Sequence, residues 1–266
     1  MDAALDDVEF LALSANRVAV LQSLAGAPRS RSDLAAETGA SQATLGRILA
    51  DFEARSWVRR RDGEYEATAT GKLVANAFSD LLDVLETERD LRDIVDSLPT
   101  EAMGFDLARL ADATITVPTE TRPNAPLQRL IGLEREAAAI RAFSHAFNEQ
   151  TLSLTAERVA EGDLTFEGVF SRGAIDALAR ESTLRRRLES LLDAPDAAVR
   201  VRDSRVPVAG TLADDRVYLL VRDDSGVLRA SIDTDDPEIF EWAESAFAEY
   251  WKSATPLDRR DLGDDG

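Results

Sequence analysis

Apolar residues near the start of the chain recur every three or four positions in three short segments, which predicts three helices. The segments span residues 14–26, 30–39 and 41–52, and each begins at a serine that can cap a helix. Ser30 and Asp33 have the spacing of a capping box, in which side chain and backbone cap each other. The second segment ends at Gly39, which predicts a left-handed cap at the end of that helix.

An Asp62-Gly63 pair separates two extended runs, Val58–Arg61 and Glu64–Thr68. Such a pair predicts a hairpin, because a type I′ turn requires positive φ at both central residues. The order of three helices followed by a two-stranded ribbon is typical of a winged helix-turn-helix. We therefore expect double-stranded DNA, in the form of a promoter, to be the partner.

The third helix divides into an apolar stripe and a polar face. The stripe is predicted to be buried and consists of Leu45, Ile48, Leu49 and Phe52. The polar face offers hydroxyl, amide and guanidinium groups, which suit contacts to base edges and phosphates. Its residues are Ser41, Gln42, Thr44 and Arg47. A solvated polar face without a partner is the alternative interpretation of the same pattern.

Arginine is concentrated between Pro28 and Arg61, where seven arginines stand against four carboxylates and give a net charge of +3. The whole chain has a formal net charge of −19, so its remainder carries −22. Local positive charge against this background favours a polyanionic partner. The predicted phosphate contacts are Arg29, Arg31, Arg59, Arg60 and Arg61. Any one of these could instead be an ordinary surface charge.

The second half of the chain alternates between short apolar runs and helical segments. This rhythm predicts a partly parallel sheet, followed by a strand-rich stretch and a last helix over residues 237–253. We expect an α+β protein with a winged helix-turn-helix at residues 1–69 and a mixed-sheet regulatory domain at 111–256. Residues 70–110 are predicted to be linker or dimerisation helices, with 257–266 an acidic flexible tail. A long helix from Thr70 to Leu98 could pack on a second copy or on its own chain.

Few residues are suited to catalysis. The chain contains no cysteine and one histidine, His145, which excludes thiolate chemistry and a two-histidine metal site. The acidic run over residues 233–238 is interpreted as the cap of the last helix rather than as a metal site. We therefore expect no metal, no cofactor and no enzymatic activity.

Lysine occurs only at Lys72 and Lys252, whereas aspartate and glutamate total 50. An acidic, lysine-poor composition is typical of cytoplasmic proteins from salt-loving organisms; an acidic protein from a GC-rich genome is the alternative. No run of about 18 apolar residues is present, and the first residues are acidic. Both observations predict a cytoplasmic location.

Longer phrases resemble a family of archaeal, especially haloarchaeal, winged-helix transcriptional regulators with a methanogenesis-regulator type of C-terminal domain. The matching phrases begin at Phe10, Gly39, Ala111, Arg122, Phe143, Val169 and Asp235. The resemblance implies a regulatory domain distantly similar to sugar-responsive archaeal regulators, on a scaffold like that of phospholipase D. That enzyme requires an H-x-K pair from each of two repeats, whereas His145 is followed by Ala146 and Phe147. The scaffold is therefore expected to be catalytically dead.

Ligands of open α/β sheets sit beyond the carboxyl ends of strands, which indicates a candidate effector site in the second domain. Its predicted residues are Arg122, Asn124, Ser144, His145, Asn148, Ser171 and Arg172. The sequence thus predicts a sequence-specific DNA-binding regulator, a homodimer, with a domain that dimerises and can sense a small metabolite. A winged-helix protein-interaction module and an enzyme domain tethered to DNA are the alternatives.

Overall fold

A computed structural model describes residues 2–223 and 225–262 of the chain. The chain divides into two compact units, residues 1–86 and residues 87–266, and each unit has its own core. The fold class is α+β, as predicted. Asp224, where the sequence Asp224-Ser225-Gly226 predicts a turn between two extended runs, lies outside the described residues, as do residues 263–266 of the predicted tail.

The first unit contains four helices, a two-stranded ribbon and most of a fifth helix. In chain order they are α1 (Asp2–Ala12), α2 (Ala15–Gly26), α3 (Arg31–Thr38), α4 (Gln42–Ala54), β1 (Val58–Arg61), β2 (Glu64–Ala67) and α5 (Ala69–Leu91). The three predicted helices are α2, α3 and α4, and the predicted ribbon is β1–β2. Helix α1 was not predicted, because it is short and leaves Leu5 and Val8 exposed.

The helix boundaries are set by the capping groups expected from the sequence. The Ser30 hydroxyl accepts from the Asp33 N–H, and the Asp33 carboxylate accepts from the Ser30 N–H. Gly39 ends α3 with a φ of 69°, a left-handed conformation that glycine adopts without strain. Ser41 caps α4 by accepting from the Thr44 N–H. Ser14 precedes α2 but makes no side-chain capping bond.

Helix α1 is held on the first unit by aromatic and cationic contacts. The Phe10 ring lies between two guanidinium groups, with the Arg55 carbon 3.7 Å and the Arg17 carbon 4.0 Å from its centroid. Arg55 also pairs with Asp7 of α1 at 3.1 Å. Phe10 meets Phe52 edge-on, with ring centroids 6.0 Å apart. These contacts join α1 to the buried stripe of α4.

The ribbon is a tight antiparallel hairpin. Its turn residues, Asp62 and Gly63, have φ values of 52° and 92°, as a type I′ turn requires. The register places Arg59 opposite Glu66, Arg60 opposite Tyr65 and Arg61 opposite Glu64. Backbone bonds between Arg29 and Tyr65 in both directions join the segment before α3 to this ribbon. The helix-turn-helix and the wing therefore form one continuous unit.

The second unit is built on an eight-stranded sheet in the order β10-β6-β5-β4-β7-β8-β9-β3. Strands β4, β5 and β6 are parallel, and every other pairing is antiparallel. The strands are β3 (Thr114–Thr116), β4 (Ala139–Ser144), β5 (Thr165–Ser171), β6 (Ala197–Arg202), β7 (Ala209–Ala213), β8 (Arg216–Arg222), β9 (Leu228–Thr234) and β10 (Thr255–Pro256). The helices are α6 (Ala125–Glu136), α7 (Glu149–Glu161), α8 (Arg172–Ala179), α9 (Ser182–Leu192) and α10 (Pro237–Ser253).

Helices cover both faces of this sheet, so its strands are buried on two sides. One face packs against α10 and the segment from Leu91 to Leu110. The other face packs against α7, α8 and α9, and α6 lies over β9 and β3. Strand β4 shows the alternation, because Phe143 faces the first core and Ile140 faces the second.

Three elements differ from the prediction. Helix α5 ends at Leu91 rather than Leu98, and 3-10 turns follow; Leu98 itself is extended, as the residue before Pro99 tends to be. Helix α9 was not predicted, although the spacing of Leu184, Leu188 and Leu191 is helical. The flexible tail predicted over 257–266 is wrong for residues 257–262, where Leu257 is buried and a 3-10 helix, Arg259–Leu262, forms.

We predict that Gly71→Ala destabilises the first unit by about 1–3 kcal/mol, the usual cost of overpacking. A Cβ at this position of α5 would lie 1.9 Å from the Trp57 carbonyl oxygen, a backbone atom that cannot turn aside. The measurement is the midpoint of urea unfolding for the first unit, which is monitored through hydrogen exchange of the backbone amides of residues 1–86. Gly26→Ala is the control, because a Cβ there meets no atom within 4 Å. Equal midpoints for the two variants would contradict the prediction.

Candidate DNA interface and candidate effector cavity

The first half of α4 exposes the side chains that were predicted to read bases. Gln42 and Arg47 are exposed, and the small side chain of Ala43 beside them does not obstruct access to the helix surface. Ser41 and Thr44 lie at the same end, where their hydroxyls are 2.9 Å apart in the local cap. This arrangement leaves one amide and one guanidinium group free to meet a ligand in front of the helix.

Arg31 links the two helices of the helix-turn-helix motif. Its Nη2 donates to the backbone carbonyl of Gln42, so its guanidinium group lies at the start of α4. Gly46 makes room for it, because a Cβ at that position would lie 2.7 Å from Nη2. Arg31 thus fixes the start of α4 against α3, a role that sequence reasoning did not assign to it.

The wing pairs its arginines across the two strands. On one face, Arg59 donates from Nε to Glu66 at 2.7 Å, and Arg61 stands opposite Glu64 and within 3.6 Å of Asp62. On the other face, the Arg60 guanidinium lies over the Tyr65 ring, 5.6 Å from its centroid. Three carboxylates therefore accompany three arginines, and the wing carries no net charge.

Five of the seven arginines counted in the sequence thus have a partner within the first unit. Besides the wing pairs and Arg31, Arg29 lies 3.6 Å from Glu37, and Arg55 pairs with Asp7. Among these seven, Arg31, Arg47 and Arg60 have no carboxylate partner in the described residues, and the guanidinium group of Arg31 is already bonded to the Gln42 carbonyl, which leaves Arg47 and Arg60. The positive charge open to a ligand is concentrated at these two side chains.

The predicted effector residues separate into four places in the second unit. Ser144 and Asn148 line one cavity, whereas His145 lines a neighbouring depression with Arg205 and Arg222. Ser171 caps α8, and Arg172 is paired with Asp203 at 3.1 Å. Arg122 and Asn124 lie in the loop before α6. The structure therefore brings two of the seven residues together in one cavity.

This cavity, of about 70 Å³, lies between the sheet and helices α6 and α7. Its floor is formed by strands β4, β5, β7 and β8. The polar side chains that line it are Glu134, Ser144, Asn148, Thr151, Thr155, Thr211, Tyr218 and Arg222. The rest of its wall is apolar and includes Leu130, Leu152, Phe147, Phe166 and Phe170.

Glu134 of α6 is the carboxyl group of this cavity. It is 5% exposed, and its Oε2 atom has no hydrogen-bond partner. Burial raises the pKa of Glu134 to about 8, because no neighbouring cation offsets the loss of water around the carboxylate. At neutral pH Glu134 is therefore mostly protonated.

A buried ion cluster fixes helix α6 above the sheet. Arg129 donates through Nε and Nη2 to both oxygens of Asp233, at 2.9 and 2.7 Å. Arg216 of β8 donates to the same carboxylate at 3.0 Å. The Tyr218 hydroxyl donates to the carbonyl oxygen of Pro126 at the start of α6. These bonds set the position of Glu134, which lies five residues beyond Arg129 on the same helix.

His145 follows Ser144, the last residue of β4, and its side chain is only partly withdrawn from water. Burial lowers its pKa, and the cations Arg222 and Arg205 lower it further. Among the described residues there is no group of three histidines, cysteines or carboxylates that could hold a metal ion.

Sequence reasoning missed Glu134, Thr155, Thr211 and Tyr218. The signal for Glu134 is present in the chain, because it falls on the apolar stripe of α6, four residues after Leu130. A carboxylate at such a position is unusual and marks a buried acid. Thr211 and Tyr218 could not be found this way, since only the pairing of β7 with β8 brings them together.

Two family models match the chain in sequence. Residues 5–90 match the HVO_A0261 N-terminal domain, and residues 123–253 match the middle domain of the methanogenesis regulatory protein FilR1. These matches define the class as a winged helix-turn-helix transcriptional regulator. The chain belongs to the archaeal, haloarchaeal-type regulators that combine these two domains, as the resemblance predicted. No curated protein sequence matches it.

Three solved structures share parts of the arrangement. The archaeal chromatin protein TrmBL2 is 14% identical, with a TM-score of 0.42 over 93% of this chain and 98% of that one. The phospholipase D family member Nuc from Salmonella typhimurium is 12% identical, with a TM-score of 0.43 over 55% of this chain and 98% of its own. NucT from Helicobacter pylori is 13% identical, with a TM-score of 0.41 over 55% of this chain and 98% of its own. Likenesses this weak assign no function to the chain.

In the described part of the chain, no helix combines the length and the apolar character that crossing a membrane requires.

We predict that Glu134→Gln becomes progressively more stable than the wild type as the pH rises from about 5 to about 8. The folded-state pKa of about 8 lies above the ordinary value of 4.5, so the folded protein binds the proton more tightly. This contribution to stability is complete below pH 4.5 and is lost as pH rises towards 8, whereas glutamine does not titrate. The difference in free energy of unfolding between the two proteins is measured at each pH.

The control is Glu136→Gln, the same change two residues further along α6 at an exposed position. The free energy of unfolding of Glu136→Gln should change with pH as that of the wild type does. A constant difference between Glu134→Gln and the wild type would show that Glu134 is ionised in the folded protein.

Proposed function

We propose that this chain is a sequence-specific DNA-binding transcriptional regulator of the cytoplasm, in which the exposed start of α4 reads base edges in the major groove. The observation that carries this proposal is the pair of exposed side chains, Gln42 and Arg47, on a helix whose other face is buried. A guanidinium group can bind guanine at two atoms, and an amide can do the same with adenine. Ser41 and Thr44 would make shorter contacts from the same end of the helix.

The wing would follow the DNA backbone. Arg60 is its arginine without a carboxylate partner, and Arg61 is exposed beside the turn. Arg59 and Arg29 would have to release Glu66 and Glu37 before they could bind phosphate. Arg31 would act by holding α4 in place. Few phosphate contacts would therefore support the base contacts.

A homodimer would supply the two reading heads that a divided DNA site requires. Helix α5 supports this, because part of its apolar surface lies outside the core of the first unit. Its exposed members are Leu73, Leu81, Val84 and Leu85. Leu81 lies eight residues after Leu73, and Val84 and Leu85 lie three and four residues after Leu81, which keeps all four on one side of the helix. The same helix buries Ala75 and Phe78 in its own unit, and Leu81 and Leu85 continue nearly the same side of the helix over the next two turns.

The second unit would sense a small molecule in the cavity beneath α6 and α7. Its polar groups converge on an enclosed space with apolar walls, the usual form of a binding site. We further propose that this unit is not an enzyme. His145 is followed by Ala146 and Phe147, and the chain has no second histidine to complete a phospholipase D centre.

A gel shift with the regulator's own promoter region, from low to molar potassium, tests the DNA-binding proposal. Binding should weaken as salt rises, with a log–log slope of about −0.9 for each phosphate contact. If the chain binds a protein partner but does not shift the DNA at any salt concentration, the interaction-module alternative would be supported instead.

We predict that Arg47→Ala reduces the preference for the specific site by about 1–3 kcal/mol, the value of one bidentate base contact. Affinity for random DNA should change much less, because Arg47 would contribute to base reading rather than to the backbone. Competition between specific and random duplexes measures both effects. Arg135→Ala, at an exposed position of α6, is the matched control. An unchanged footprint and base preference in Arg47→Ala would refute the role of α4.

We predict that Leu81→Glu combined with Leu85→Glu converts a dimer into a monomer. The charges would be buried and unpaired in an interface along α5, whereas they would meet water in the monomer. Sedimentation at several protein concentrations measures the change. Leu5→Glu, an exposed apolar residue of α1, is the control. If the double variant sediments as the wild type does, α5 is not the interface.

A further inference from the structure

The cavity beneath α6 and α7 contains a buried acid for which the protein provides no counter-charge. The nearby cations of the described chain are held elsewhere. Arg129 binds Asp233, and Arg158 of α7 donates to the backbone carbonyl oxygens of Glu134 and Ala137 rather than to the carboxyl group. A buried acid without a cation is costly unless something else compensates it.

Hydroxyl groups surround the same space. Thr151 and Thr155 come from α7, Thr211 from β7 and Tyr218 from β8. Each threonine hydroxyl can accept a hydrogen bond, whereas the Tyr218 hydroxyl already donates to Pro126 and can still accept. Around Glu134 the cavity therefore presents one potential negative charge together with several acceptors, whereas Arg222, which also lines it, donates to the carbonyl oxygen of Gly226. Its complement is a group that has a positive charge and several N–H donors.

The apolar wall of the cavity limits the size and the polarity of the rest of the ligand. Phe147 and Phe170 are stacked with ring centroids 4.0 Å apart, and Phe166 and Leu152 lie beside them. Such walls suit a short hydrocarbon part, and the faces of aromatic rings attract cations. A cavity of about 150 Å³ holds benzene, so one of about 70 Å³ takes a group of only a few heavy atoms.

We propose that this cavity binds the primary ammonium group of a small organic amine, with Glu134 as its counter-ion. The proposal rests on the effector role proposed above and names the chemistry of that effector. On binding, the Glu134 carboxyl releases its proton to solvent, and the ammonium group takes its place as partner of the carboxylate. A hydrated potassium ion would not use the apolar wall, and an anionic group would face a like charge once Glu134 ionised.

Binding should therefore depend on pH. Glu134 must lose a proton that it keeps up to about pH 8, so affinity for an ammonium ion rises with pH and levels off above 8. The other charged or titratable groups near it are Tyr218 on β8, whose pKa burial raises, Arg158 on α7, and Arg222. Arg222 stands four residues beyond Tyr218, about 13 Å along the strand.

The test uses the full chain and methylammonium chloride as the probe, at constant ionic strength. Melting temperature and calorimetric titration should show saturable binding that strengthens about ten-fold per pH unit below pH 8, since the ionised fraction of Glu134 rises by that factor. Glu134→Gln should abolish binding, and Glu136→Gln should retain it. Potassium, ethylene glycol and acetate should not compete.

Absence of methylammonium binding, or binding that is unchanged in Glu134→Gln, would overturn the proposal. Binding of acetate or ethylene glycol that requires Glu134 would keep the effector cavity but refute an ammonium ligand. The effector role is tested separately by measuring DNA affinity in Glu134→Gln and Thr155→Val. If the wild type binds methylammonium but both variants have the DNA affinity of the wild type, the effector role would be refuted and the ammonium site would stand.

Discussion

The buried carboxylate of Asp233 is the interaction on which the second unit depends. It is completely buried, and its two oxygens hold Arg129 of α6 and Arg216 of β8. Removing one partner of such a cluster leaves an uncompensated charge in the interior, which is strongly destabilising. The bidentate bond from Arg129 fixes α6 in both position and rotation on the strands. The cavity exists because Glu134 and Leu130 are presented by a helix that cannot turn away from the sheet.

The first unit shows how far local chemistry can be predicted from sequence. Ser30, Gly39 and the Asp62-Gly63 turn act within a few residues, and each was predicted with its conformation. The sheet order of the second unit was beyond such reasoning. Strand β3 joins the far edge beside β9, and β7 returns to pair with β4, so both pairings bring together residues remote in the chain. Where strands pair is set by the packing of whole faces rather than by local signals.

The candidate sites were predictable to different degrees for the same reason. Gln42 and Arg47 follow from a single helical period, which the sequence displays. The cavity requires α6, α7 and four strands at once, so sequence reasoning reached Ser144 and Asn148 but not Glu134. The wing was predictable to an intermediate degree. Its arginines were visible in the sequence, whereas their pairing with Glu64 and Glu66 depends on the hairpin register.

The charge balance of the wing has a consequence for how a DNA-binding protein finds its site. Proteins that slide along the duplex rely on attraction to phosphates that does not depend on sequence. A neutral wing on a chain with a net charge of −19 supplies little of this attraction. The proposed regulator would therefore dwell only briefly on random DNA and would locate its operator by separate encounters from solution. Its speed of response would be set by collision frequency and copy number rather than by one-dimensional scanning.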